Sequence, residues 1–287
     1  MPSLSACLIQ TRRQVWVLAL LTLTLARPAA ADETLHFGLL PFAPPAVVFK
    51  RYGPLRDLLS ERLARPVRLE TAPDYTTFAR RTAQQRYDIL WTSPHFALRA
   101  ADSGAYAVVA GWARPVLALL VVAEDSPITE LSQLAGKTIA TPPEKALVSL
   151  IGKQLLAEQG LRGARAPRYL ASSDHMTSRF TLLAGEADAA IMGDQILYDA
   201  RSKALRLRAI GRAPPVPGAT LLVARRLPAE LRRRIQSLVV NLPRDAAGRA
   251  ALAATHFPAY RRVDIGDLAP LRALARGTPQ AFEDDPP

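Results

Sequence analysis

Tyr87-Asp88-Ile89-Leu90-Trp91-Thr92-Ser93-Pro94-His95-Phe96 is the stretch on which the fold turns. Asp88 to Trp91 reads as a short buried strand that stops at Thr92-Ser93-Pro94 and opens a helix through Phe96, Leu98 and Arg99. Pro94 suits the first helical position and Ser93 the N-cap. That geometry aims two hydroxyls and a fan of backbone N–H groups beyond the strand end, a setting that favours anions. An ordinary capped helix produces the same pattern.

The surrounding chain repeats this strand–helix unit. Upstream, Thr34 to Leu40 is a strand that ends at Pro41-Phe42-Ala43-Pro44-Pro45, and Val48, Tyr52, Leu55 and Leu59 follow at helical spacing. Val67 to Thr71 is a second strand, and Asp74 caps a helix through Phe78 and Thr82. Downstream, Tyr106 to Ala110 is a strand and Val116 to Ala123 a continuous apolar run, long enough for a buried strand and too short for a membrane span. A second β-α-β-α unit spans Thr141-Pro142-Pro143-Glu144, a helix closed by Gly160, a helix capped by Ser173 or Asp174, and the strand Ala187 to Met192 ending at Gly193-Asp194. The rhythm is that of α/β sheets, mostly parallel and flanked by helices, in which ligands gather at the carboxyl ends of strands.

Residues 1–31 read as a cleavable secretory signal. Arg12 and Arg13 precede an apolar run from Val15 to Ala26, and Ala29-Ala30-Ala31 supplies small residues before Asp32. The single cysteine of the 287 residues, Cys7, falls inside this segment, so the mature chain has neither disulfide nor thiolate chemistry. Removing Arg12, Arg13 and Arg27 reduces 37 basic residues to 34 against 25 acidic, a formal charge of +9. The arginines lie on helix faces without the interleaved aromatics that stack bases, so no nucleic-acid partner is expected. His36, His95, His175 and His256 are widely spaced and form no metal motif, and neither a nucleophile elbow nor a phosphate loop is present. Ser173-Asp174-His175 holds triad residue types, but neighbours in sequence do not line up as nucleophile, base and orienter. No catalytic residue, cofactor or metal is expected.

The segment VVAEDSPITELSQLAGKTIATPP, residues 121–143, closely resembles the crossover of bacterial two-lobed substrate-binding proteins. Together with LHFGLLPF (35–42), YDILWTSPHFALRA (87–100), SSDHMTSRFTLLAGEADAAI (172–191) and LPAE (227–230), it makes the mature chain similar to the phosphate/phosphite/phosphonate-binding family that serves ABC transporters. The resemblance implies a type II periplasmic-binding-protein fold in which two lobes close over a ligand. Lobe one would comprise 32–126 plus 212–287 and lobe two 127–211, with crossings near Glu124 to Pro127 and Gly211 to Gly218. It also implies a periplasmic monomer that captures a small anion and presents it to a membrane permease. A sensor input module that signals to a membrane kinase fits the same residues.

The expected ligand contacts are Phe42, Thr92, Ser93, His95, Thr141, Lys145, His175 and Asp194. The resemblance gives Thr92, Ser93 and His95 the role of holding the oxyanion, and gives the 141–146 segment the matching role from lobe two. His175 falls where the family often has a ligand-contacting histidine. Asp194 matches an acidic residue that receives an aminoalkyl ammonium, although a turn-forming Gly-Asp accounts for it equally. Pro142-Pro143-Glu144 departs from the family's small, hydroxyl-rich turn, removing two N–H donors and adding a carboxylate.

Overall fold

The computed structural model describes residues 34–194, 206–256, 259–272 and 274. Residues 1–31, read from sequence as a signal, and residues 283–287 lie outside the described residues. Strands β1 (Leu35–Leu39), β2 (Val67–Glu70) and β3 (Ile89–Thr92) alternate with helices α1 (Pro45–Leu63), α2 (Tyr75–Ala83) and α3 (Pro94–Asp102). Next come β4 (Tyr106–Trp112), β5 (Ala118–Ala123), β6 (Thr138–Thr141), α4 (Leu147–Glu158), β7 (Arg168–Ala171), α5 (His175–Leu183), β8 (Ala189–Gly193) and β9 (Leu207–Arg212). The chain closes with β10 (Thr220–Ala224), α6 (Ala229–Asn241), α7 (Ala246–Thr255) and β11 (Tyr260–Arg261).

Two mixed sheets result. One has the order β11-β4-β10-β3-β1-β2 and the other β7-β6-β8-β5-β9. The β1-β2-β3 and β6-β7-β8 groups are parallel, as the strand–helix rhythm requires. The other strands pair antiparallel, which makes the sheets less parallel than the rhythm alone suggests. Strands that enter from the opposite lobe arrive running the other way.

The first crossing lies earlier than the sequence indicated. β5 pairs with β8 and β9, so the chain passes between sheets at residues 113–117 and not near Glu124. The apolar run 116–123 identified a buried strand but carried no mark of the sheet it joins. The return crossing falls between β9 and β10, at 213–219, and an antiparallel bridge Val116–Val216 ties the two crossings together. Gly218 sits where they touch: a β-carbon there would stand 2.7 Å from the Arg114 carbonyl oxygen.

Candidate functional site

α2, α3, α4 and α5 all begin where a parallel strand ends. Two of these N-termini are closed by their own residues. Asp74 accepts from the Thr77 N–H at 2.6 Å, and Asp174 accepts from the N–H groups of Met176 and Thr177 at 2.7 and 3.0 Å. The other two lack a side-chain cap: neither Ser93 before α3 nor Ala146 before α4 accepts a side-chain hydrogen bond from the first turn. First-turn N–H groups have no intrahelical acceptor, so α3 and α4 keep donors and the positive end of the helix dipole turned outward.

Each uncapped helix follows a strand that ends in threonine. Thr92 and Thr141 are both fully buried, and their hydroxyls have no hydrogen-bond partner among the described residues. An unsatisfied buried hydroxyl costs about 1–3 kcal/mol, so each of these two strand ends offers an open hydrogen-bonding position. Thr92 also borders a cavity of about 300 Å³ that runs between α2 and α3 toward Ala83 and Ser103. The Pro142-Pro143 departure is milder than it looks in sequence, because α4 starts only at Leu147. The prolines form a turn ahead of it, with the Pro143 carbonyl accepting from the Ala146 N–H at 2.8 Å and the Pro142 carbonyl from Ser149 Oγ at 3.2 Å. The first-turn N–H groups of α4 therefore remain. Glu144 is exposed and lies 3.6 Å from Lys153.

Ser93 does not use its hydroxyl as a cap; Oγ lies 3.0 Å from His95 Nδ1. The buried His95 ring spans the two lobes, with Nε2 3.0 Å from the Lys145 carbonyl oxygen. A carbonyl only accepts, so Nε2 carries the proton, and Nδ1 of the neutral ring accepts from Ser93. Burial, reinforced by the Arg99 charge one turn along α3, lowers the His95 pKa to about 4 against the opposing pull of the Lys145 carbonyl. The ring is neutral at pH 7.

Buried Tyr75, at the start of α2, lies near Asp174, the N-cap of α5. Burial raises the Tyr75 hydroxyl pKa first, and the Asp174 carboxylate adds to it. His175, half-buried at the first position of α5, has its pKa lowered by burial against the pull of Asp174. Phe42 is half-buried and joins an aromatic wall, 5.3 Å from the Trp91 ring and 6.3 Å from Tyr52, and Trp91 in turn lies 5.9 Å from Trp112.

The structure thus joins Ser93, His95 and Lys145 by direct hydrogen bonds, leaves Thr92 and Thr141 at the ends of the strands that precede them, and packs Phe42 on Trp91. Asp194 is held at the first crossing. Its carboxylate accepts from the Leu117 N–H at 3.3 Å and lies 3.9 Å from the Arg114 guanidinium, so it pins the first crossing to β8. The half-buried Lys145 takes part through its carbonyl. Sequence reasoning passed over Tyr75 and the Trp91–Trp112 wall. Tyr75 directly follows the Asp74 cap, a signal that could have placed it at the cleft. No group of three His, Cys, Asp or Glu among the described residues could hold a metal ion.

Comparison with known proteins bears on the family and the fold. Residues 37–268 match the family model described as ABC transporter, phosphonate, periplasmic substrate-binding protein. The phosphonates-binding periplasmic protein of Escherichia coli (strain K12) is 23% identical over 270 residues, covering 88% of this chain and 80% of that protein. The binding-protein component of a Pseudomonas aeruginosa ABC phosphonate transporter superposes with a TM-score of 0.76 at 19% identity, covering 87% of this chain and 88% of that one. A Prochlorococcus marinus protein solved in complex with methylphosphonate gives a TM-score of 0.77 at 14% identity, with 87% and 99% covered. At these identities the structural likeness speaks for the fold, and the family model speaks for the sequence: this chain belongs to the periplasmic substrate-binding proteins of phosphonate ABC transporters.

Proposed function

We propose that the chain captures a small phosphorus oxyanion of the phosphonate class between its lobes and presents the closed form to the membrane permease of an ABC transporter. In this reading it is exported by residues 1–31, works as a monomer in the periplasm and catalyses nothing. The observation that carries it is the convergence of two uncapped helix N-termini, α3 and α4, with two buried hydroxyls that lack partners, Thr92 and Thr141. An oxyanion leaving water must find fixed donors, and hydrogen bonds to a charged acceptor contribute about 1.5–3 kcal/mol each. The sealed ends of α2 and α5 would frame the site, with Phe42 and the aromatic wall facing an organic substituent. Nothing in the arrangement favours the sensor reading over transport, and the family description supports transport.

Calorimetric titration of the mature chain with methylphosphonate and phosphite tests this directly. Thr92→Val and Thr141→Val keep side-chain volume and remove the hydroxyl, and each is expected to weaken binding about 5- to 30-fold. Unchanged affinity in both variants would remove these strand ends from the site.

A further inference from the structure

We propose that the His95 imidazole is a latch between the lobes that makes closure depend on pH, holding lobe to lobe and leaving the anion to backbone N–H groups and threonine hydroxyls. Both ring nitrogens are engaged, Nδ1 with Ser93 Oγ and Nε2 with the Lys145 carbonyl, and the second bond crosses from one lobe to the other. Parting the lobes breaks that bond and lets water reach a ring that is otherwise fully buried.

The ring is a poor host for a proton while the lobes are together. A charged imidazole would sit without water beside the Arg99 guanidinium of its own helix. From the other lobe it meets the loop that carries Lys145. α2 contributes the uncharged Tyr75, which packs on Phe96, and Asp174 and His175 stand at the α5 end near Tyr75. In the open form, hydration restores an ordinary histidine, with a pKa of about 6.5. Closure therefore expels a proton once the pH falls below that value, and ligand-driven closure weakens as the medium acidifies.

The latch rests on the cleft being the binding site, and the experiment separates the two ideas. Methylphosphonate affinity is measured from pH 7.5 to 5.5 for the wild-type chain and for His95→Gln, whose side-chain amide still donates to the Lys145 carbonyl but does not titrate. Dividing one by the other at each pH cancels protonation of the ligand and of His175. The ratio of wild-type to variant affinity is expected to fall about tenfold over this range. A flat ratio overturns the latch and leaves the binding reading intact. Should the variant fail to close, the wild-type ring is titrated by NMR with and without methylphosphonate. A His95 pKa at least one unit lower in the complex supports the latch, and equal values overturn it. Failure of methylphosphonate and phosphite to bind at pH 7.5 overturns both ideas together.

Discussion

Thr92 and Thr141 carry opposite expectations for stability and for binding. Replacing an unsatisfied buried hydroxyl with a methyl group removes a desolvation cost, so Thr141→Val is expected to leave the ligand-free protein as stable as wild type or more stable, by up to about 1 kcal/mol in denaturant unfolding. A structural hydroxyl would show the reverse, a loss of stability without a loss of affinity. Acid should act through the histidines. The folded-state pKa of His95 lies below that of the unfolded chain, so the native state resists protonation. Its contribution is fully present above about pH 6.5 and is lost as the pH falls from there toward 4. His175 shifts in the same direction. His95→Gln should accordingly flatten the decline in unfolding midpoint between pH 6.5 and 4.5, and an unchanged decline would contradict the buried, neutral ring. The strand-end residues were legible in sequence because strand, cap and proline are local signals. The partnership of His95 with Lys145, fifty positions away, depends on how the lobes meet and leaves no local mark.

Helices and strands could be read from periodicity wherever a buried stripe held its phase. α1 runs through Gly53-Pro54 because Tyr52, Leu55 and Leu59 stay on one buried face across the interruption. Pro54 is exposed and removes a backbone hydrogen bond, so Pro54→Ala is expected to raise stability by about 1–3 kcal/mol in denaturant unfolding. A neutral result would mean that the backbone already accommodates the ring. Gly152 in α4 points the other way. Alanine gains about 1 kcal/mol of helix propensity over glycine, but a β-carbon at this position would stand 2.7 Å from Ile191 Cγ2 on β8. Overpacking costs about 1–3 kcal/mol, so Gly152→Ala should be destabilising on balance. α4 starts only at Leu147, because Pro142 and Pro143 shape the turn ahead of it.

At the level of the whole chain, two short crossings hold the lobes, and the interlobe hydrogen bond of His95 indicates that the structure shows them in close approach. Sheet membership was the least legible feature. A buried strand such as β5 is equally apolar in either lobe, and only its partners, β8 and β9, decide where it belongs. The contacts of Asp194 were hidden for a related reason: Arg114 lies in the crossing, which the sequence placed elsewhere. If the lobes close over a ligand, small-angle scattering should record a smaller radius of gyration when methylphosphonate is added, and His95→Ala should blunt that change. The most direct test of the central claim is calorimetric titration of residues 32–287 at pH 7.5 with methylphosphonate, phosphite, phosphate and sulfate. Saturable binding of a phosphorus oxyanion, weakened at least fivefold in both Thr92→Val and Thr141→Val, is the predicted result. Binding of none of these anions, or binding that ignores both substitutions, would contradict it.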